Sequence, residues 1–309
     1  MKQRNKKEEK DKEKGKKQRL IHGMCILMFF SLAVWLVGYD IYAMAQNAHI
    51  RNKREKLQAI RTEAVSCVPP GLQYDKNGFP VAGVDAVFAD MSRDGLIRKL
   101  CHKPEIMPEY QRLYEMNHDM AGWLSIAGTV IDYPVMQTPE DEDYYLATDF
   151  YGQPDKNGCL ILDTDSRAGT GTKDCGYANG DVPSTNLIIH GHTMKSGEMF
   201  GRLKLYEDEK YGKRHRLICF DSLYEERVYE LLAVFFSQVY YEKDKVFKYY
   251  KFFQADTEEE FDDWYTNIRA MSLYDTGVEA VFGDEFITLS CCSYHVEDGR
   301  FVVVGKRIK

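Results

Sequence analysis

A mainly β fold with helical additions, closed as a barrel or stacked as a sandwich, is predicted by three observations. From Gly122 onward apolar residues recur with a period of two in about eight short runs. Turn residues (Gly, Asp, Asn, Pro) separate these runs at close intervals, which fits antiparallel β architecture better than βαβ units. Only two stretches in this region return to helical spacing.

Charge divides the chain before the first of these strands. The first twenty residues hold ten Lys/Arg against four Asp/Glu, whereas the whole chain is at −7, so the tail is basic and the body acidic. An acidic body lacks the basic face that a nucleic-acid binder needs, and no nucleic-acid partner is expected. Residues 1–19 are expected to form a charged, unstructured tail on the cytoplasmic side. Leu20 to Tyr39 contains no Asp, Glu, Lys or Arg. At about 1.5 Å per residue it spans a hydrocarbon core of about 30 Å. It exceeds the usual apolar length of a cleaved signal peptide, so residues 20–42 read as a signal-anchor transmembrane helix. Ten basic residues precede this span and Arg51, Lys53, Arg54 and Lys56 follow at a distance, which places the N-terminus in the cytoplasm and the body outside.

Residues 43–104 read as a juxtamembrane helix and linker. The composition from Gln46 to Ser66 favours helix, Val68-Pro69-Pro70-Gly71 breaks it, and residues 69–85 read as loop. Leu96, Ile97 and Leu100 mark a short helical pattern, and Tyr110, Leu113, Tyr114 and Met116 mark a second that Pro108 opens. The remaining domain, residues 105–309, has strands expected over 122–126, 129–137, 158–163, 185–190, 215–221, 226–239, 286–290 and 301–308. Its two helical inserts are a short one over 199–206 and a longer one over 257–271. The longer insert opens on Thr257-Glu258-Glu259-Glu260, a capping-box pattern, and carries the stripe Phe261, Trp264, Tyr265, Ile268.

Eight cysteines occur without a C-x-x-C pair, so neither zinc spacing nor a small disulfide framework is present. With Cys25 in the span, seven remain outside it, and an odd number leaves at least one unpaired thiol within a monomer. Two of them close a strand: Thr288-Leu289-Ser290-Cys291-Cys292. A second strand starts at Arg300, and Glu297-Asp298-Gly299 supplies the turn, with Gly299 free to take positive φ. A thiol at the end of one strand and a guanidinium at the start of its hairpin partner suit thiolate attack on a carbonyl. The fixed cation stabilises the charge that develops on oxygen. His192 is available as the acid/base.

Thr288-Leu289-Ser290-Cys291-Cys292 closely resembles the T-L-x-T-C signature of sortases, the Gram-positive transpeptidases that attach surface proteins to the cell wall. Gly299-Arg300-Phe301-Val302-Val303 resembles the family's Arg-bearing strand. Asn186 to Met194 resembles its Gly-His-x-Met segment, with Gly197-Glu198-Met199-Phe200 matching the G-x-M-F that follows. Asn117 to Trp123, Ile131 to Gln137 and the insert 257–277 point to class B. The resemblance implies a sortase-like eight-stranded β-barrel with N-terminal helices and one helix inserted between the last strands. It implies Cys292 as nucleophile, His192 as general acid/base and Arg300 as stabiliser of substrate and oxyanion, with Thr288, Leu289, Ser290 and Cys291 lining the substrate site. Cys291 stands where the family has Thr and His190 where it often has Tyr. Because successive strand side chains point to opposite faces, only one of the two thiols faces the groove.

By the same resemblance the reaction cleaves a C-terminal sorting motif after Thr in secreted proteins and passes the acyl group through a thioester to a cell-wall peptide amine, as on a lipid II-type precursor. Class B motifs are of the Asn-Pro-Gln-Thr-Asn kind or end in Thr-Gly. The scheme requires no cofactor and no metal, and the acidic run Glu140 to Asp143 is expected to be solvated surface rather than a Ca²⁺ site. The alternatives are a hydrolytic surface cysteine protease, a pilin-polymerising sortase using a Lys amine, and a non-catalytic binding module.

Overall fold

Alternation along eight strands sends one row of apolar side chains into a common interior. In the computed structural model, which describes residues 2–66 and 104–309, the strands are β1 (Met120–Ser125), β2 (Asp132–Met136), β3 (Leu160–Leu162), β4 (Asn186–Gly191), β5 (Leu217–Ser222), β6 (Val228–Gln238), β7 (Phe286–Cys292) and β8 (Gly299–Arg307). They close into a barrel in the order β1-β2-β3-β4-β7-β8-β6-β5. Two neighbouring pairs, β2 with β3 and β4 with β7, run parallel. The interior row includes Leu124, Val135, Leu160, Leu187, Ile189, Ile287, Leu289, Cys291, Phe301 and Val303. β6 is long enough to slip out of phase, and a register shift between Leu231 and Ala233 corrects it: Leu231 and then Val234 point inward, while Leu232 and Ala233 join the outer layer.

Among the described residues four α-helices accompany the barrel: α1 (Lys2–Ser66), α2 (Pro108–Met116), α3 (Glu209–Arg214) and α4 (Glu258–Met271). Helix α4, inserted between β6 and β7, begins at the expected capping box: Thr257 accepts from the Glu260 N–H at 3.2 Å, and Glu260 accepts from the Thr257 N–H at 3.1 Å. Its stripe Phe261, Trp264 and Ile268 packs with Phe235, Phe286, Val302 and Val304. Helix α2 follows Pro108 as predicted and buries Tyr110 and Leu113.

Two elements differ from the sequence reading. The insert expected over 199–206 begins later, as a 3₁₀ turn (Leu203–Glu207) followed by α3, which Asp208 caps through the Tyr211 N–H at 2.8 Å. Met199 is held at φ +52°, outside helical space, with its N–H donating to the Tyr133 hydroxyl. The charged tail is helical from Lys2, since Lys, Glu, Gln and Arg are all good helix formers. The loop expected over 69–85, the pattern at Leu96, Ile97 and Leu100, and Cys67 and Cys101 lie outside the described residues.

The chain divides into two units, Met1–Asn52 and Lys53–Lys309. In the first, α1 leaves Leu27, Phe29, Phe30 and Trp35 more than 60% exposed, an apolar surface suited to lipid rather than water. Among the described residues this is the one helix long and apolar enough to cross a membrane. In the second unit the last turns of α1 dock on the barrel. Lys53 bridges Asp149 and Asp155 at 2.5 and 2.7 Å, Arg54 pairs with Glu198, and Leu57 is buried. Arg61 reaches Asp221 at 3.2 Å and lies over the rings of Tyr110 and Trp123.

Candidate active site

The pairing of β4, β7 and β8 brings three distant parts of the chain to one cleft. β7 and β8 pair antiparallel, with Cys292 directly opposite Arg300, and residues so placed hold their Cβ atoms about 5 Å apart. β4 lies on the other side of β7, with His190 opposite Ser290 and Gly191 opposite Cys291. Leu187 and Ile189 point into the barrel, so His190 and His192 project outward beside Ser290 and Cys292. A cavity of about 430 Å³ is lined by Cys292, His192 and Arg300 together with His190, Ser290 and Cys291. The expected acid/base, thiol and guanidinium therefore share one opening.

The two adjacent thiols differ in environment. Cys291 is 3% exposed and belongs to the barrel interior, where burial pushes its thiol up to about 11. A thiol so raised stays protonated at neutral pH and is a poor nucleophile. Cys292 is exposed. Thr193 ties the pair to the histidine strand by donating its hydroxyl to the Cys292 carbonyl at 2.5 Å. Ser290 is buried and shares a 2.7 Å hydrogen bond with the Tyr249 hydroxyl. Thr288 and Leu289 do not line the cavity. Thr288 is buried and donates to Asn186 Oδ1 at 2.9 Å, and Leu289 lies in the interior row.

His192 and Arg300 are each held by identifiable neighbours. His192 Nε2 lies 2.9 Å from the Leu146 carbonyl. A carbonyl only accepts, so Nε2 carries the hydrogen and Nδ1 is left to exchange a proton. Arg300 donates through Nη1 to the Gly299 and Asp298 carbonyls at 3.1 and 3.3 Å, which fixes the fork at the cleft edge. The turn that precedes it corrects one expectation. Asp298, at φ +51°, is the left-handed residue, whereas Gly299 is required for space, because a Cβ there would lie 2.3 Å from the Ser293 carbonyl. Gly191 is under a similar constraint. A Cβ between the two histidines would meet Phe200 at 2.5 Å and Leu160 at 2.6 Å. The Gly-His and G-x-M-F segments are thus one packing unit.

The sequence reading noted His190 only as standing where the family often has Tyr, and its partners and several other lining groups escaped it. His190 Nε2 is 3.0 Å from Asp163 Oδ2, and Glu142, expected on solvated surface, is brought to this pair: one carboxylate oxygen of Glu142, one of Asp163 and a ring nitrogen of His190 lie within 4.8 Å of one another. Burial and the neighbouring Asp163 charge raise the Glu142 carboxyl above its usual range. Asp143, Asp165, Tyr249, Tyr250 and Lys251 complete much of the lining. The end of the expected strand at Asp163 was the one available signal for this wall; residues 249–251 carry none, since the β6–α4 connection alone delivers them.

No family model matches the chain. It is 32% identical over 206 residues to sortase B of Listeria monocytogenes, covering 66% of this chain and 76% of that protein. The crystal structure of Bacillus anthracis sortase B in complex with AAEK1 superposes with a TM-score of 0.54 at 27% identity, covering 69% of this chain and 93% of that one. A Staphylococcus aureus sortase B–substrate complex gives 0.55 at 24% identity, covering 69% and 90%, a likeness of fold. With an eight-stranded barrel, a helix between β6 and β7, and a cleft shared by Cys292, His192 and Arg300, the chain belongs to the sortase B family.

Proposed function

We propose that the chain is a membrane-anchored cysteine transpeptidase that cleaves a C-terminal sorting motif after Thr in secreted proteins and transfers the acyl group to a cell-wall peptide amine. The observation that carries this reading is the in-register pairing of Cys292 with Arg300 at a cleft that His192 also lines. The Cys292 thiolate attacks the Thr carbonyl, and charge gathers on the carbonyl oxygen, where the Arg300 fork donates hydrogen bonds. His192 gives a proton to the departing amine, and a thioester remains on Cys292. The acceptor amine then adds to the thioester, His192 takes back a proton, and thiolate leaves. Cys291 and Ser290 shape the floor of the site, while Thr288 and Leu289 support it from beneath. A solved Staphylococcus aureus sortase B bears a bound substrate, and we place the sorting peptide of this chain in the corresponding cleft.

The proposed organisation is a cytoplasmic tail (1–19), an anchor helix (20–42), a juxtamembrane helix and linker (43–104) and an exterior catalytic domain (105–309). The exposed apolar surface of α1 supports an anchor. Lys53 and Arg54 are engaged with body carboxylates, which leaves the ten basic residues before the span as the main orienting charge. The test is a peptide-library cleavage assay on the full chain in detergent micelles, with products analysed by mass with and without an added amine. New amide product only when amine is present is expected; hydrolysis alone, unaffected by amine, would establish the protease instead.

A further inference from the structure

The proton count of the proposed transfer leaves one proton without an acceptor. After acylation His192 is neutral and has room for one proton. When an amine adds to the thioester, the C–N bond forms, the C–S bond breaks, and the nitrogen releases a proton that His192 takes. A primary alkylamine, however, reaches the cleft at neutral pH as an ammonium, whose lone pair is blocked. Its extra proton must go elsewhere before attack, and then pass to solvent or to the free amine that departed in the first half-reaction.

We propose that His190, backed by Asp163, is the base that takes this first proton, and that the wall it stands in receives a primary alkylammonium acceptor. This rests on the transpeptidase reading. His190 shares the outward face of its strand with His192 and lies opposite Ser290, one alternation (about 7 Å) from Cys292 along β7. Its Nε2 is 3.0 Å from Asp163 Oδ2, so the carboxylate takes the Nε2 hydrogen and leaves Nδ1 as the basic nitrogen. The same contact stabilises the imidazolium once formed. Asp163 is itself fixed, with Oδ1 accepting the Asp165 N–H at 3.0 Å, and it is 8% exposed. Glu142, Asp143 and Asp165 line the same cavity, where the cations are Lys251 and Arg300. Among the described residues none of these four carboxylates has a Lys or Arg ion-pair partner; Asp163 pairs with His190 and meets the Glu142 carboxyl, whose proton is favoured by that contact. Such a wall draws a cation toward the thioester.

The experiment uses the full chain in micelles, with the peptide selected by the library screen as donor. Two acceptors are compared: Nα-acetyl-lysine methylamide, a cation at neutral pH, and hydroxylamine, which is uncharged there. In His190→Gln and Asp163→Asn the ratio of lysine to hydroxylamine aminolysis should fall about a hundredfold, and the fall should shrink as pH approaches the lysine pKa. An unchanged ratio in both variants overturns the proposal, since a loss common to both acceptors belongs to folding or to His192. The wild-type chain supplies an independent check if the variants do not fold. Its kcat/KM for lysine should drop less steeply with falling pH than the free-amine fraction, and strict proportionality to that fraction overturns the proposal. Failure of the wild type to aminolyse with either acceptor would fail the transpeptidase reading instead.

Discussion

Cys291 and Cys292 are neighbours in the chain but sit on opposite sides of a sheet, and the chemistry available to each follows from that. Cys291 belongs to the packed interior with a thiol raised to about 11, whereas Cys292 opens on the cleft. Cys291→Ala should therefore retain thioester formation while losing about 1 kcal/mol of stability from the vacated volume, measured by acyl-enzyme yield and by urea unfolding. Arg300 tests the other half of the geometry. Arg300→Lys should fold normally and lose turnover by about a hundredfold, because an ammonium lacks the planar fork that donates to a developing oxyanion; near-normal kcat would remove Arg300 from the reaction. The thiol, imidazole and guanidinium were legible in the sequence because each sits in a short motif. The acidic wall was not. Glu142 comes from the β2–β3 connection, Asp163 from the turn after β3 and His190 from β4, and the antiparallel pairing of β3 with β4 brings the last two together.

At the level of elements, periodicity was the reliable signal. All eight strands fall where alternation placed them, and α4 starts at its capping box. The missed boundary lies where Met199 adopts a left-handed backbone, which a hydrophobic pattern does not encode. Nor does pattern reveal that the end of α1 is a docked element. There Asp221 is pushed up to about 6 by burial, against the opposing effects of the Tyr110 hydroxyl (2.6 Å) and Arg61. An acid whose folded pKa lies above its ordinary 3.8 binds its proton more tightly in the folded state. Its contribution to stability is complete below pH 4 and is lost as pH rises to about 6. Over that window Asp221→Asn should remove a decline of about 3 kcal/mol, read as a flatter dependence of the urea midpoint on pH; an unchanged slope would mean Asp221 is ionised throughout. Arg61→Ala should cost about 2 kcal/mol at pH 7 through the lost ion pair and ring contacts, checked by the same midpoint.

At the scale of the whole molecule, an apolar helix with exposed side chains precedes a barrel whose cleft gathers residues from β4, β7, β8 and the turns beside them. The sequence showed the apolar run and the basic tail ahead of it, but not that α1 runs unbroken from Lys2 to Ser66, because helix propensity alone does not tell a stable tail from a frayed one. All the chemistry derived for this molecule passes through a covalent bond at one sulfur. Full chain should be incubated with a cleavable sorting peptide in the absence of amine, quenched in acid, and mapped by peptide mass. An acyl adduct on Cys292, absent in Cys292→Ala and retained in Cys291→Ala, is the predicted result; an adduct on Cys291, or peptide cleavage that persists in Cys292→Ala, would contradict it.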